Sequence, residues 1–497
     1  MRRAAALCLG CLLLASGYVA ADALDVAPGI LTTAPARTAS PSATTRASAS
    51  RPLPSPLPSR MPVAPLDAQA QVPTQAGLRA ALGSVLADPG LAGMAVTIRD
   101  GLTGAHLLDV DPDTARIPAS TLKLLAALAV TASFPPGSTL ETTVVAGESR
   151  GQLVLVAGGD MFLATQGGDP TAVVGRAGVA ELADQVSASV AAMGVTAVTV
   201  SIDTTYAPGA AEAPSWPARF RATGIVGPVA MLGLAERRAE PGKPGSREPV
   251  IDVARTLIAR LSERGVTATL DRTAPQEPSA VPSGTPGTPG ASATHDPAAS
   301  PNPGWSRGAV LGVVRSAPVA DLLGLALRDS DNALTESLAR QGAFRAGRPS
   351  DFAGAAAYVR EAVAAAGVDV SGVSLFDASG LTAANQIPAR VVADVLEVGV
   401  SGRRPAFGDA LRQLPIAGLS GTLAERFTSA SEAPGAGLVR AKTGTLSGAN
   451  ALAGIVVTRE GRLLVFALLQ QGATGTLDTR AALDRVAVTL ASCGCRA

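Results

Sequence analysis

The sequence predicts an α+β fold, in which an antiparallel sheet flanked by helices is interrupted by smaller, mainly β domains. Three observations predict this fold. Strand-like and helical runs at both ends of the chain can share one sheet, with helices on its faces. The middle, about residues 140–310, holds shorter strand-like runs instead. Finally, 47% hydrophobic and 16% charged residues are enough to bury a large core.

Each predicted element follows from its hydrophobic pattern and its flanking turn residues. At the amino end we expect a helix over 78–86, a hairpin over 93–99 and 105–110 with glycines in its turn, and an apolar helix over 122–131. At the carboxyl end we expect strands over 438–445, 451–458 and 462–470 and a helix over 478–490. In the middle we expect strands over 153–156 and 198–202 and a helix over 250–263.

The amino terminus has the pattern of an export segment. Arg2 and Arg3 precede residues 4–21, which contain no charge, and small residues such as Val19 and Ala21 suit a cleavage enzyme. We therefore expect residues 1–31 to be an export signal or, as the alternative, an uncleaved membrane anchor through residues 4–21. Either way, the body of the protein lies outside the cytoplasmic membrane, secreted or anchored in the cell envelope.

Low-complexity stretches divide the rest of the chain. Residues 32–75 are rich in Ala, Pro, Ser and Thr and predict a disordered tether, and residues 273–305 predict a Pro/Gly-rich loop. These boundaries leave one discontinuous domain, 76–139 and 306–492, around an insert of one or two domains at 140–305.

Composition excludes several classes of function. A net charge of +1, without a basic cluster followed by stacking aromatics, argues against nucleic-acid binding. Cys8 and Cys11 lie in the export segment, and Cys493 and Cys495 in the tail, so no disulfide framework or four-ligand zinc site is predicted. Nothing in the sequence indicates a nucleotide, metal or other cofactor. With two histidines in the chain, a hydrolase base other than His is expected.

The lysines carry the strongest signal. Of 41 cationic residues three are lysines, and two of these occur in the patterns Ser120-x-x-Lys123 and Lys442-Thr443-Gly444. Arg does not lose its proton in proteins, whereas Lys can. We therefore interpret these two lysines as residues that take part in the chemistry of a site.

Ser120 and Lys123 predict an activated nucleophile. Pro118 and the apolar run place Ser120 in the first turn of a buried helix, with the Lys123 amine on the same face. Burial lowers the pKa of a lysine, and we expect Lys442 to lower it further as a second cation. The amide groups at the helix start suit an oxyanion forming beside Ser120.

Ser330-Asp331-Asn332 is a third motif. Alone, each of the three motifs has an ordinary reading: a capped helix, a polar turn or a strand end. In this order they are typical of class A β-lactamases and penicillin-binding proteins.

The chain resembles the class C low-molecular-mass penicillin-binding proteins, which are exported D-alanyl-D-alanine carboxypeptidases and endopeptidases. The resemblance extends over roughly 75–490 and implies a penicillin-binding/β-lactamase-like transpeptidase domain. It rests on the three motifs and on further segments at 118–125, 316–318, 377–381, 414–418 and 421–423.

The resemblance also implies roles for the motif residues. Lys123 deprotonates Ser120, Ser330 relays a proton to the leaving amine, and Asn332 orients the substrate amide. Lys442 sets the local field. Thr443 and Thr445, on either side of Gly444, bind the terminal carboxylate, and the Ser120 and Thr445 amides form the oxyanion hole. The implied partners are peptidoglycan stem peptides and β-lactam antibiotics.

Two alternatives remain open at this stage: a non-catalytic penicillin-recognising sensor or scaffold, and a divergent serine β-lactamase. Neither Glu336 nor Glu361 has the surroundings of a lactamase deacylation base. Asp203 is either a contact for the stem peptide or a turn residue, and Trp216 is either core or a domain contact.

Overall fold

The computed structural model describes residues 69–272, 305–472 and 476–495. The export segment 1–31, the tether up to residue 68 and residues 273–304 of the Pro/Gly-rich loop therefore lie outside the described residues. Part of the predicted end of the tether, residues 69–75, is described and contacts the fold at two points. Ala70 is buried and its carbonyl accepts a hydrogen bond from buried Arg462, while Thr74 caps the first helix by accepting from the amide of Gly77.

The described residues form the strands and helices expected at both chain ends. The strands are β1 (Ala95–Asp100), β2 (His106–Val110), β3 (Ala115–Arg116), β4 (Glu141–Ala146), β5 (Gln152–Val156), β6 (Ala197–Asp203), β7 (Thr267–Leu270), β8 (Val310–Arg315), β9 (Ile387–Pro388), β10 (Val439–Leu446), β11 (Ala449–Val457) and β12 (Leu463–Gln471). The α-helices are α1 (Gln75–Leu86), α2 (Lys123–Ser133), α3 (Val179–Ala192), α4 (Ala218–Ala222), α5 (Pro249–Glu263), α6 (Val319–Arg328), α7 (Asn332–Arg345), α8 (Phe352–Ala365), α9 (Ala389–Val400), α10 (Pro405–Leu411) and α11 (Thr476–Ser492).

The first sheet joins the two ends of the chain, as predicted. Its order is β10-β11-β12-β1-β2, and every neighbouring pair is antiparallel. The junction between the ends is the pair β1 and β12, where Ala95 lies opposite Leu469.

Helices cover both faces of this sheet, because its strands alternate two apolar sets of side chains. On β12, Val465, Ala467 and Leu469 pack in the cluster that contains α2 and α6 to α10. Leu464, Phe466 and Leu468 face α1 and α11. Each large apolar side chain buried in this way contributes about 1.5 to 3 kcal/mol of transfer free energy.

Helix α2 has no solvent face over its first two turns. Every residue from Lys123 to Val130 is buried, which is the pattern of a helix surrounded by other elements. The amine of Lys123 is therefore removed from water by the fold itself.

The insert contains a second sheet, of order β7-β6-β5-β4-β8. Its strands β5, β6 and β7 run parallel, and β4 is antiparallel to both β5 and β8. Helices α3 and α5 pack in the same apolar cluster as this sheet. The β structure predicted for the insert is thus one sheet covered by two long helices. Its edge strand β8 lies beyond residue 305, the predicted end of the insert.

A disulfide bond lies near the carboxyl end of the described residues. Cys493 and Cys495 form a disulfide bond with each other, which the sequence did not predict. None of the described helices has the length and apolar character needed to span a bilayer.

Candidate active site

Ser120 lies in a strained turn between β3 and α2. Ala119 has a φ of +45°, and a 3-10 helix, Ala119–Leu122, carries Ser120 into α2. The hydroxyl of Thr121 donates to the carbonyl of Pro118 at 2.7 Å and holds this turn closed. The predicted position of Ser120, in the first turn of the α-helix, is therefore corrected to the tighter 3-10 turn just before it.

The Lys123 amine contacts Ser120 directly. Nζ lies 2.9 Å from Ser120 Oγ, 2.6 Å from Asn332 Oδ1 and 2.7 Å from the carbonyl oxygen of Ser379. Lys123 is 1% exposed. Three acceptors match the three N–H bonds of an ammonium, so loss of one proton leaves a lone pair that can face the serine hydroxyl.

Burial makes that proton loss accessible near neutral pH. It lowers the pKa of Lys123 from 10.5 to about 8, against the charges of Glu336, Asp377 and Asp331, which raise it. An amine in this range can serve as a general base.

The loop between α6 and α7 brings Ser330 and Asn332 to the same place. Ser330 has a φ of +60°, and Asp331 caps α7 by accepting from the amide of Leu334. The cap sets Asn332 as the first helical residue, with Oδ1 on Lys123 and Nδ2 donating to the carbonyl of Ile225 at 2.7 Å. Asn332 therefore joins the nucleophile turn to the inserted segment.

Lys442, on β10, completes the ring of motif residues. It is fully buried, and its Nζ donates to Ser330 Oγ at 2.9 Å and to the carbonyl of Thr443 at 3.1 Å. Burial, and then the charge of Lys123, hold the pKa of Lys442 well below its usual value. The repulsion between the two lysines is mutual, and no carboxylate offsets it at Lys442 as Glu336, Asp377 and Asp331 do at Lys123.

Two glycines allow the close approaches that this site requires. A Cβ on Gly444 would lie 2.8 Å from the carbonyl oxygen of Pro118, so Gly444 lets β10 pass beside the Ser120 turn. A Cβ on Gly380, whose φ is +84°, would lie 1.9 Å from the carbonyl oxygen of Ala119. Side chains at either position would separate the elements that meet at Ser120.

Thr443 and Thr445 stand on the open side of β10. The hydroxyls of Thr443 and Thr422 lie 2.8 Å apart. Thr445 Oγ1 lies 3.4 Å from Asn450 Oδ1 and accepts from Arg480 Nε at 3.3 Å. Both threonines are partly exposed, unlike Lys442 between Ser330 and the strand.

A groove of about 470 Å³ opens beside the Ser330 loop. Ser330, Asp331 and Asn332 form part of its wall, and the inserted segment around 224–252 forms the opposite side. The groove therefore reaches the Ser330-Asp331-Asn332 motif.

Sequence reasoning missed the buried carboxylates behind Lys123. Glu336, on α7, accepts from the amides of Ala378 at 3.0 Å and Ser379 at 2.8 Å. Burial, and then the charge of Asp377, raise the pKa of Glu336 to about 7. Glu336 thus fixes the segment whose Ser379 carbonyl accepts from Lys123, and its position one turn after Asn332 was the available signal.

Asp377 holds the same segment from the other side. Its carboxylate accepts from the amides of Gly380 and Thr382 and from the indole of Trp216 at 3.0 Å. Trp216 is therefore a contact between the insert and the site. Asp203 accepts from the amide and hydroxyl of Thr205, as the turn reading expected.

Comparisons with known proteins identify the family of the chain. The model of the D-Ala-D-Ala carboxypeptidase 3 (S13) family matches residues 78–280 and 297–493. Carboxypeptidase DacB of Mycolicibacterium smegmatis is 35% identical over 453 residues, 90% of each chain. A D-alanyl-D-alanine carboxypeptidase of an Actinomadura species is 30% identical over 470 residues, 83% of this chain and 84% of the relative.

A solved structure shows the same fold at lower identity. Penicillin-binding protein 4 (dacB) of Haemophilus influenzae superposes with a TM-score of 0.62 at 18% identity, covering 82% of this chain and 98% of its own. The fold class predicted from the sequence is thereby confirmed. By its family match and its near full-length relatives, the chain belongs to the D-Ala-D-Ala carboxypeptidase 3 (S13) family and is a class C low-molecular-mass penicillin-binding protein, a serine-type DD-carboxypeptidase.

Proposed function

We propose that Ser120 is the nucleophile of this serine DD-peptidase and that Lys123 is its base. Neutral Lys123 takes the Ser120 proton while Oγ attacks the carbonyl carbon of a D-alanyl-D-alanine bond in a peptidoglycan stem peptide. The bond to the leaving nitrogen then breaks, and that nitrogen receives a proton through Ser330. Water hydrolyses the acyl-enzyme, and penicillins acylate the same oxygen.

The observation that carries this proposal is the distance of 2.9 Å between Lys123 Nζ and Ser120 Oγ inside a buried site. The hydrogen bond from Lys442 to Ser330, at 2.9 Å, supports the proton relay. Asn332 orients the substrate amide, Lys442 sets the field at Ser330, and Thr443, Gly444 and Thr445 form the substrate-binding edge of β10.

A divergent serine β-lactamase is the second enzyme candidate, and the position of Glu336 argues against it. A deacylation base must reach a water molecule beside the acyl carbon. Glu336 is 1% exposed and its carboxylate is occupied by the amides of Ala378 and Ser379. We therefore expect slow loss of a penicillin label.

A non-catalytic sensor or scaffold on this fold is the remaining candidate. Such a protein would not require an amine at position 123 with its pKa lowered to about 8. The intact contacts among Ser120, Lys123, Ser330 and Lys442 favour catalysis instead.

The test is labelling by a fluorescent penicillin in the wild type and in Ser120→Ala, followed by assay of D-Ala release from a muropeptide. We expect the wild type to be labelled, to keep its label for longer than a turnover and to release D-Ala, and the variant to do none of these. An unlabelled wild type would refute the proposal. Rapid loss of the label would favour a β-lactamase, and stable labelling without D-Ala release would favour the sensor.

We further propose that the protein acts outside the cytoplasmic membrane, with residues 4–21 directing export or serving as an anchor. The substrate class supports this location, because peptidoglycan is extracytoplasmic. We also propose that residues 76–139 and 306–492 form the catalytic domain and that residues 140–305 form the insert.

A further inference from the structure

The side-chain amide of Asn332 is held at both of its ends. Its Oδ1 lies 2.6 Å from Lys123 Nζ, and its Nδ2 donates to the carbonyl oxygen of Ile225 at 2.7 Å. A backbone carbonyl oxygen can only accept a hydrogen bond, so the Ile225 contact requires the amide nitrogen on that side. A flipped amide would bring two acceptors together there. Ile225 therefore helps to determine which atom of Asn332 faces Lys123.

This orientation matters most when Lys123 is neutral. A charged Lys123 selects Oδ1 by itself, because an ammonium donates hydrogen bonds and has no lone pair. The neutral amine has a lone pair, and a flipped Asn332 would donate an N–H bond to it. The same lone pair must receive the proton of Ser120, whose Oγ lies 2.9 Å away. The Ile225 carbonyl therefore keeps the base available at the step in which the charge of Lys123 no longer orients the amide.

Residues 224–226, the Ile225 segment, are anchored by the backbone of the insert. The amides of Ile225 and Val226 both donate to the carbonyl of Phe220, at 2.8 and 3.3 Å. Phe220 is buried and lies on α4. The carbonyl that meets Asn332 thus belongs to a backbone that is itself fixed, which is the condition for holding a polar side chain in one orientation.

Gly224 lets the Ile225 segment pass close to a neighbouring turn. Its φ is +69°, and a Cβ at this position would overlap the carbonyl oxygens of Glu240 and Lys243. The backbones of Glu240 and Lys243 exchange two hydrogen bonds, at 2.9 and 2.7 Å, so their carbonyls cannot turn away as the end of a side chain can. A side chain at position 224 would therefore force the segment and the turn apart.

We infer that the Ile225 segment is a positioning element of the reaction, whose carbonyl holds the Asn332 amide with Oδ1 towards Lys123 while that amine accepts the proton of Ser120. This inference rests on the proposed function. Ile225 touches none of the reacting atoms and acts through Asn332. The insert thus contributes to the reactivity of Ser120, in addition to bordering the groove.

The test measures the second-order rate constant of acylation by a fluorescent penicillin. In Gly224→Ala we expect this constant to fall by about tenfold to a hundredfold, because the amide loses a buried hydrogen bond. Gly265→Ala is the matched control. Gly265 also has a positive φ, +78°, but a Cβ there would meet no described atom within 4 Å. We expect this control to be acylated at the wild-type rate.

The variant Asn332→Ala separates positioning from a general structural effect. If the Ile225 segment acts through Asn332, Gly224→Ala should cost less than about threefold in the Asn332→Ala background, because no amide is left to orient. The slow acylation of this background is followed by intact mass. Equal losses in both backgrounds would show a structural role and overturn the inference. A folded Gly224→Ala with the wild-type rate would overturn it as well.

A second variant tests the carbonyl itself without a steric change, and it decides the question if Gly224→Ala does not fold. Replacing Val226 by its α-hydroxy acid turns the Ile225 carbonyl into an ester carbonyl, which is a weaker acceptor. The Ile225 amide keeps its hydrogen bond to Phe220 at 2.8 Å. We expect acylation to be about twofold to tenfold slower, and only when Asn332 is present. An unchanged rate would contradict the inference.

These outcomes also separate the inference from the proposed function. A wild type that is labelled, with no loss in either variant, would overturn the role of the Ile225 segment and leave the proposed function intact. A wild type that is not labelled would overturn both.

Discussion

Lys123 and Lys442 are both fully buried in one site, but the groups around them differ in charge. Around Lys123, the carboxylates of Glu336, Asp377 and Asp331 offset part of the cost of burial, and its pKa falls to about 8. Lys442 has a hydroxyl and a carbonyl as partners, and burial and the charge of Lys123 hold its pKa well below the usual value.

The difference separates two uses of a buried amine. A base that must alternate between charged and neutral forms benefits from nearby carboxylates, because they keep its pKa close to the working pH. We therefore expect Lys123 to exchange a proton in each turnover and Lys442 to act through its hydrogen bond to Ser330.

Of the variants that test this difference between the two lysines, Lys123→Arg should have the largest effect on acylation. A guanidinium keeps its proton, so the base is lost, and general-base catalysis is typically worth about 10² to 10⁴ in rate. We expect acylation by a fluorescent penicillin to fall by at least this factor, with the thermal unfolding transition used to check the fold. Labelling within tenfold of the wild-type rate would mean that Lys123 is not the base.

Lys442→Arg should have a smaller effect. A cation that still reaches Ser330 preserves part of the interaction, although the larger group must fit a fully buried position. Weakening one charged hydrogen bond of about 1 to 3 kcal/mol predicts a loss of roughly tenfold to a hundredfold in acylation rate. If labelling is lost completely, the compact ammonium or its proton is required, and the two lysines are chemically more alike than we propose.

Glu336→Gln should change the pH dependence more than the maximal rate. Acylation by the wild type should rise with pH through about 8, as Lys123 loses its proton. Glu336 is mostly ionised there, since its own pKa is about 7. Removing its charge should move the midpoint of acylation to lower pH, measured as second-order rate constants between pH 6 and 10. A midpoint that moves upward would contradict the charge balance described for Lys123.

Lys243→Arg should have the smallest effect and is the control for the other two lysine variants. Lys243 is 60% exposed and lies 3.8 Å from Glu240 at the surface. We expect unchanged acylation and a change in the free energy of unfolding within about 0.5 kcal/mol. A large loss of labelling here would indicate that any Lys-to-Arg change disturbs the protein, and would weaken the conclusions from Lys123 and Lys442.

Local patterns in the sequence were sufficient to predict the sheet that joins the chain ends and to identify the motif residues. Alternating apolar residues identify β10, β11 and β12, and the scarcity of lysine singles out Lys123 and Lys442. These signals exist because strand periodicity and side-chain chemistry are properties of short segments.

Other features depend on contacts between distant segments and leave no local signal. The carboxylate of Glu336 meets the amides of Ala378 and Ser379, and Trp216 reaches Asp377 across the fold. The 3-10 turn at Ser120 and the positive φ of Ala119 also require the tertiary structure, because Ala does not favour that conformation by itself.

The pairing of β1 with β12 also determines when the site can form. β12 is the central strand of the first sheet, yet it is synthesised long after its partner β1. Contacts so distant in sequence are slow to form, because the loop between them must close first. A chain that is still being made already carries Ser120 and Lys123, but it lacks β10 and its Lys442. The site is therefore assembled only after β10 to β12 have been made, which delays activity until those strands are available.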